Sequence, residues 1–323
     1  MIDGTNGRAI VFPGQGSQAV GMGQGLAAAY PVAREVFSEI DEALGERLST
    51  LMFEGPDDEL RLTRNAQPAL MAVSIATLRV LESEAGRPID QFADYVAGHS
   101  LGEYSALAAA GALDLGDAAR LLRLRGESMQ TAVPVGEGAM AALLGAEIDV
   151  AKEIASAASS VGVCDLANDN APGQVVLSGA TLAVAAAVQL ASERGVRRAI
   201  MLPVSAPFHC SMMQPAAERM AVALSETVIR TPSVPLVANV LAAPVLGGAV
   251  EIRTCLVQQV TAMVRWRESV LWMAANGVTS ILEVGAGQVL TGLHKRIDRT
   301  LSGMAVGLPE DVPAAVGALA AAR

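Results

Sequence analysis

The sequence predicts an α/β protein with a central, mainly parallel sheet and an inserted ferredoxin-like (βαββαβ) small subdomain. Short apolar runs alternate with helical patterns along most of the chain, as in sheets covered by helices. Hydrophobic residues make up 52% of the 323 residues and charged residues 17%, so a large core can form. The alternation changes after Pro134 and returns after Pro207, which indicates an insert.

The segment before the insert begins with a buried strand that ends at a Pro-Gly pair. Pro68 is expected in the first turn of a helix and Gly86 at its end. YVAG predicts a second strand, which runs into a small-residue helix. The elements are predicted as strands at 8–12 and 95–98 and helices at 31–52, 68–85, roughly 103–110 and about 117–130.

The insert shows the order strand, helix, strand, strand, helix, strand. We therefore predict a catalytic core formed by 1–133 and 205–323 and a subdomain formed by 134–204. The insert's elements are expected at 138–145, 147–160, 161–167, 173–179, 181–195 and 198–204. Beyond it, helices are expected near 212–225, 251–275 and 287–301, with a strand at 278–285 and an Ala-rich helix at the C-terminus.

Charge and composition narrow the classes of partner. The net charge of −10 argues against nucleic acid as the main partner. Three cysteines without a CxxC pair suggest reduced thiols in a cytoplasmic protein. The N-terminus lacks the pattern of a secretory signal, so none is expected. The long uncharged stretch 231–250 contains prolines and a Gly-Gly pair, so we expect strand and turn there and no membrane contact.

The motif Gly98-His99-Ser100-Leu101-Gly102 follows a predicted strand and precedes a predicted helix. A G-x-S-x-G turn in this context exposes a serine nucleophile, as in α/β hydrolase-like cores, and directs the next backbone N–H at the attacked carbonyl. The alternative is a glycine-lined turn with an incidental serine, because the chain contains 31 glycines.

A serine nucleophile needs a base, and the chain has three histidines. His99 lies inside the turn and should point away from Ser100. His294 belongs to a helix beside two basic residues, where a surface role is expected. His209 is the best candidate by elimination, although a lone loop histidine is more often a surface residue. A backbone carbonyl could orient it, and the neighbouring Cys210 is expected to be a packed thiol.

Six motifs together resemble the malonyl-CoA:acyl carrier protein transacylase family. The likeness runs in order from about residue 8 to about residue 310 and is far more specific than one pentapeptide. The motifs are PGQGSQ (13–18), NAQPAL (65–70), GHSLGEYSALAAAGAL (98–113), NDNAPGQVVLSG (168–179), the loop around His209, and EVGAGQVLTGLHKR (283–296).

The resemblance implies roles for the residues of the reaction centre. Ser100 would become malonylated and His209 would be the base. Gln259, the second glutamine of LVQQV, would supply the carbonyl that orients His209. The backbone N–H groups of Gln15 and Leu101 would form the oxyanion hole. Gln15 could instead cap a helix, whereas the glycine spacing around it does not match a dinucleotide loop.

The resemblance also implies the residues that bind the acyl group. Arg125 would pair with the malonyl carboxylate, although the residues alone favour a solvated arginine paired with Glu127 or Asp117. In this family a phenylalanine directly before the histidine, here Phe208, accompanies malonyl specificity, and a serine at that position accompanies methylmalonyl. Leu101, where enzymes that prefer methylmalonyl often have glutamine, also implies malonyl. The remaining substrate-binding candidates are Met129, Asn168 and Asn170, of which the asparagines could be plain turn residues before Pro172.

The implied reaction transfers malonyl from malonyl-CoA to the phosphopantetheine thiol of holo acyl carrier protein. The resemblance implies no metal and no bound cofactor, since CoA and phosphopantetheine enter as parts of substrates, and a monomer is expected. Arg198 and Lys295 are candidates for carrier docking; the alternative is ordinary solvated surface. Other readings are a serine thioesterase, a carrier-binding scaffold, or an acyltransferase of a polyketide or malonate-decarboxylase pathway.

Overall fold

The computed structural model describes residues 6–204 and 206–320, so residues 1–5, Ser205 and 321–323 of the predicted ranges lie outside it. The strands are β1 (Gly7–Phe12), β2 (Tyr95–Gly98), β3 (Gly138–Leu144), β4 (Cys164–Ala171), β5 (Gln174–Ala180), β6 (Arg198–Met201), β7 (Leu236–Ala238), β8 (Ala243–Pro244), β9 (Val278–Val284) and β10 (Ser302–Val306). The helices are α1 (Gln24–Ala29), α2 (Pro31–Leu44), α3 (Leu48–Glu54), α4 (Asp57–Arg61), α5 (Thr63–Ala85), α6 (Gly102–Ala109), α7 (Leu115–Thr131), α8 (Ile148–Ala158), α9 (Thr181–Glu193), α10 (Gln214–Glu226), α11 (Gly248–Thr261), α12 (Trp266–Ala275), α13 (Val289–Ile297) and α14 (Val312–Ala320).

The larger sheet has six strands in the order β10-β9-β1-β2-β7-β8. Every pair is parallel except β7 with β8, which confirms a mainly parallel central sheet. β1 is buried along its whole length, as expected for an apolar strand covered on both faces. Its last residue, Phe12, lies opposite Gly98, the last residue of β2. The loops that follow these two strands therefore leave the sheet side by side.

The smaller sheet has four antiparallel strands in the order β4-β5-β3-β6. Its elements follow the chain order β3, α8, β4, β5, α9, β6. Alternate apolar residues of the strands, among them Ala141, Leu143 and Leu177, form a separate core with α8 and α9. The protein therefore combines a mixed α/β core with a distinct antiparallel sheet.

The smaller sheet is joined to the core through β4. The Asp169 backbone N–H donates to the Val264 carbonyl oxygen (3.0 Å), and the Val264 N–H donates to the Ala167 carbonyl oxygen (2.9 Å). The Asp169 carboxylate, 1% exposed as part of its residue, forms an ion pair with Arg267 at 2.8 Å. These contacts fix one wall of a cleft between the two sheets.

Two predicted long helices are each divided in the structure. The helix predicted at 31–52 ends at Leu44, because Gly45 adopts a left-handed conformation (φ 66°) that terminates it. The helix predicted at 251–275 becomes α11 and α12, separated by the segment whose Val264 joins β4. In both cases the apolar periodicity continues across the break, so the sequence pattern alone does not reveal it.

Two other expectations were wrong. Pro68 lies inside α5, which already begins at Thr63, and not in its first turn. Burial of Asn65, Ala66 and Gln67 favours the earlier start, and a proline near the N-terminal end removes only one helical hydrogen bond. His294 is 1% exposed and not at the surface, because Leu290, Leu293 and His294 form the buried face of α13.

No helix in the described part of the chain is both long enough and apolar enough to span a bilayer. The uncharged stretch 231–250 forms β7, β8 and their turns, as its prolines and glycines predict, and its last three residues begin α11.

Candidate active site

The turn between β2 and α6 carries Ser100 in a left-handed conformation, with φ of 53°. Few residues other than glycine adopt this conformation. The flanking glycines are required by close backbone approach: a Cβ on Gly98 would lie 1.9 Å from the Gly102 carbonyl, and a Cβ on Gly102 would lie 2.3 Å from the Phe12 oxygen. The turn is therefore a sharp strand-to-helix elbow that lifts Ser100 out of the sheet.

Ser100 is hydrogen-bonded to His209. The distance between the Ser100 Oγ and His209 Nε2 is 2.7 Å, and that between His209 Nδ1 and the Gln259 carbonyl oxygen is 2.8 Å. A carbonyl oxygen only accepts, so Nδ1 must carry the proton and Nε2 accepts from the serine hydroxyl. The arrangement is a Ser–His pair oriented by a backbone carbonyl, and it can remove a proton from Ser100.

The surroundings of His209 keep its ring neutral. Burial, together with the positive charge of Arg125, lowers the pKa of His209 from 6.5 to about 3. Both causes disfavour the imidazolium. The base therefore stays in its proton-accepting form throughout the neutral range.

Arg125 lies in α7 and is 1% exposed. Its Nη1 donates to the Gln67 Oε1 (2.8 Å), and its Nη2 donates to the Gln259 Oε1 (2.7 Å) and to the Ser100 Oγ (3.1 Å). Within residues 6–204 and 206–320, no carboxylate forms an ion pair with it. The alternative of a solvated arginine is wrong, and Asp117 pairs with Arg120 instead.

The backbone N–H groups of Gln15 and Leu101 lie in the loops that follow β1 and β2. Across the described ranges, neither the Gln15 nor the Leu101 backbone N–H donates a hydrogen bond. The loops touch, since a Cβ on Gly14 would lie 2.9 Å from the His99 oxygen. Gln15 does not cap a helix, because α1 begins at Gln24. These unpaired donors are available to a negatively charged oxygen.

The cleft between the two sheets brings together nearly all the predicted site residues. Gln259 is fully buried behind it, and the exposed Arg198 and Lys295 are not part of its lining. Asn168 and Asn170 belong to β4 and not to a turn, and the Asn170 Oδ1 lies 2.8 Å from His99 Nε2. The predicted residues that line the cleft are Gln15, Ser100, Leu101, Arg125, Met129, Asn168, Asn170, Phe208 and His209.

Comparison with known proteins assigns this cleft to a family. The model of the acyl transferase domain family matches residues 9–308. The malonyl CoA-acyl carrier protein transacylase of Bacillus subtilis (strain 168) is 46% identical over 312 residues, which cover 96% of this chain and 96% of the relative. The chain belongs to the malonyl-CoA:acyl carrier protein transacylase family.

Solved structures agree with this membership. The acyl-carrier-protein-S-malonyltransferase of Bartonella henselae superimposes with a TM-score of 0.94 at 52% identity, over 97% of this chain and 99% of that one. A malonyl-transacylase solved in complex with its type II polyketide acyl-carrier protein gives 0.93 at 42% identity, over 97% and 100%. The fold described here is therefore that of the transacylase family.

Three residues that the sequence did not single out complete the site of this transacylase family member. Gln67 holds Arg125, while Glu103 and Asn239 lie directly beneath the Ser100 turn. Gln67 and Glu103 occur inside quoted motifs, so their position in NAQPAL and GHSLGE was an available signal. Asn239 follows β7, the neighbour of β2, and polar residues at adjacent strand ends meet at one edge of the sheet.

The acid limb of kcat/KM for malonyl-CoA is expected to have its midpoint well below 6.5, toward 3. Protonated His209 cannot accept the Ser100 proton, and burial and Arg125 both oppose its protonation. Initial rates measured against pH check this. The Arg125→Gln variant should show a higher midpoint, because one of the causes that lower the pKa of His209 is removed.

Glu103 requires a separate control, because burial raises the pKa of its carboxyl to about 7. If an acid limb of the kcat/KM profile disappears in Glu103→Gln, that limb reports titration of the Glu103 carboxyl. A limb near 6.5 that persists in Glu103→Gln would contradict the expected state of His209.

Proposed function

We propose that this protein transfers the malonyl group from malonyl-CoA to the phosphopantetheine thiol of acyl carrier protein through a malonyl ester on Ser100, and so feeds fatty acid chain elongation. The observation that carries this proposal is the buried guanidinium of Arg125 beside a serine already hydrogen-bonded to histidine.

The state of Arg125 supports an anionic acyl group. Burying a guanidinium is unfavourable unless it is paired, and here its partners are two amide oxygens and the nucleophile itself. The buried carboxyl of Glu103 interacts electrostatically with this charge but forms no ion pair with it in the described residues. A carboxylate in the cleft would supply a direct counter-charge through two parallel hydrogen bonds, which a neutral acyl group would not. The site therefore favours malonyl over acetyl.

The first half-reaction uses the groups already in contact. His209 Nε2 takes the Ser100 proton as the Oγ attacks the thioester carbonyl, and the oxygen that becomes negative is stabilised by the N–H groups of Gln15 and Leu101. The tetrahedral intermediate collapses, the C–S bond breaks, and His209 returns its proton to the CoA sulfur. Malonyl-Ser100 remains, with its carboxylate on Arg125.

The second half-reaction reverses these steps with another thiol. His209 accepts the proton of the phosphopantetheine thiol, whose sulfur attacks the ester carbonyl. When the C–O bond breaks, the proton passes to the Ser100 Oγ and the free enzyme is restored. The scheme uses no metal and no bound cofactor, and one chain supplies every group, so a monomer suffices.

The walls of the cleft are proposed to set acyl size. Phe208 and Met129 are buried and line the cleft beside Asn168 and Asn170. An apolar wall of this kind discriminates against one extra methyl group by only about 1–3 kcal/mol. Malonyl is therefore preferred to methylmalonyl by packing and to acetyl by charge.

The domain boundaries, docking surface and location are proposed on structural grounds. The sheet order β4-β5-β3-β6 supports a ferredoxin-like subdomain at 134–204 within an α/β hydrolase-like core at 1–133 and 205–323.

Exposure of Arg198 and Lys295 supports their docking of an acidic carrier. The cysteines are free and buried, which supports a cytoplasmic location.

Intact-mass measurement after mixing with malonyl-, methylmalonyl- and acetyl-CoA tests the proposal. We expect a malonyl adduct that is stable without carrier and is discharged by holo acyl carrier protein. CoA release that continues without carrier would identify a thioesterase. Carrier binding without any adduct would identify a scaffold. Either result would overturn the transferase assignment.

A further inference from the structure

The side-chain amide of Asn239 bridges the two ends of the Ser100 turn. Asn239 follows β7 and is 1% exposed. Its Oδ1 accepts the Ser100 backbone N–H at 2.8 Å, and its Nδ2 donates to the Gly98 carbonyl oxygen at 2.7 Å. One amide therefore binds the residue before the turn and the nucleophile itself.

Asn239 is held in turn by the buried carboxylate of Glu103, which is 0% exposed. The Asn239 backbone N–H donates to the Glu103 Oε2 at 2.8 Å. The same oxygen accepts from the Gln259 Nε2 at 3.0 Å, and this Nε2 also lies 3.1 Å from the Ser100 carbonyl oxygen. The carboxylate thus ties the support of Ser100 to the residue whose carbonyl orients His209.

We propose that Asn239, braced by Glu103, is a positioning residue that maintains the reactive geometry of Ser100. The inference rests on the proposed function only in taking Ser100 as the acylated residue. Neither side chain is part of the lining of the cleft, so both act through the backbone of the turn.

The need for such a support follows from the backbone of Ser100. At φ of 53° the Ser100 backbone is in a left-handed conformation that is unfavourable for residues other than glycine. This conformation therefore persists only where neighbouring contacts stabilise it. Relaxation of the turn would move the Oγ away from His209 Nε2 and turn the Leu101 N–H. Both the attack and the stabilisation of the oxyanion depend on that placement.

The amide cannot be replaced by a simpler group. Aspartate at position 239 would keep the acceptor for the Ser100 N–H but lose the donor to the Gly98 oxygen, and alanine would lose both. At position 103 glutamine keeps one oxygen for both donors, whereas leucine keeps none. The two positions therefore offer graded variants of the same support.

The test compares rates of Ser100 acylation by malonyl-CoA in single turnover, followed by intact mass, in the full chain. Asn239→Ala is expected to slow acylation about 100-fold, the scale of a misplaced reacting group, with little change in the Kd for malonyl-CoA. Its unfolding temperature is expected to fall, because the Ser100 N–H and the Gly98 carbonyl oxygen lose their partner, so the rates are compared at a temperature where the variant is fully folded. Asn276→Ala is the matched control, because the Asn276 Nδ2 donates to the Trp272 carbonyl oxygen away from the cleft; it should acylate at the wild-type rate.

If Asn239→Ala does not fold, the variants Glu103→Gln and Glu103→Leu test the positioning role instead. Glu103→Gln should acylate at least about tenfold faster than Glu103→Leu, because it retains the acceptor. Wild-type acylation rates in Asn239→Ala, equal rates in the two Glu103 variants, or losses that follow the folded fraction would overturn the positioning role. Absence of the adduct in the wild type would instead refute the proposed function.

Discussion

Replacing Ser100 by alanine is expected to lower the rate of malonyl transfer by about a million-fold, the scale known for loss of a serine nucleophile. The 2.7 Å contact with His209 would disappear, and no atom would remain to carry the acyl group. Intact mass should show no malonyl adduct, and a carrier-loading assay should show no transfer. Malonyl-CoA should still bind, since Arg125 remains in place.

Ser105→Ala is the matched control, because Ser105 lies in α6, the helix that follows the Ser100 turn, is buried, and has an Oγ without a partner in the described residues. Its activity should stay close to that of the wild type. Adduct formation that persists in Ser100→Ala would contradict the prediction. Adduct on Cys210 would be the specific alternative, although that thiol is buried and its pKa is raised by burial.

Arg125→Ala is expected to reduce kcat/KM for malonyl-CoA by about 100- to 1,000-fold, which corresponds to truncating one partner of a buried charge pair. The value for acetyl-CoA should fall much less, because acetyl carries no carboxylate. The ratio of the two values is the measurement, since it cancels any general effect of losing the Ser100 and Gln259 contacts.

Arg123→Ala provides the control for Arg125. Arg123 lies two residues earlier in α7 and pairs with Glu46 and Asn65 outside the cleft. Its substitution should leave the ratio of malonyl to acetyl unchanged. A ratio in Arg125→Ala equal to that of the wild type would remove the carboxylate-binding role.

The catalytic pair was accessible from sequence because both of its members had few competitors. The glycines around Ser100 record a close backbone approach that no other residue permits. Of the three histidines, only His209 was expected in a loop after the insert. The structure places its Nε2 2.7 Å from the Ser100 Oγ. Rare residue types under tight steric constraint leave a readable pattern.

The supporting residues were not accessible in the same way. Gln67 lies within the motif NAQPAL, but nothing in the motif indicates which side chain it binds, and Asn239 lies in none of the motifs. Both roles depend on distances between segments far apart in the chain. His294 was misplaced because its charged neighbours suggested a surface, whereas helical spacing from Leu290 puts it in the core. Such contacts are set by tertiary packing, which local composition does not encode.

The same limit explains the helix boundaries. Gly45 ends one predicted helix because its backbone is left-handed. Glycine is also tolerated inside helices, so a glycine in the sequence does not by itself predict where a helix ends. Pro68 stays within α5 because packing of the preceding turn outweighs the lost hydrogen bond. Strong periodicity identified the helices, and tertiary contacts set their ends.

The order of the catalytic groups along the chain has a consequence for synthesis on the ribosome. Ser100 and His209 are 109 residues apart, and the carbonyl of Gln259 lies a further 50 residues on. A nascent chain therefore carries the serine long before it carries anything able to activate it. The complete inserted unit and most of the core must emerge first, so reactivity toward thioesters is acquired only when folding is almost finished.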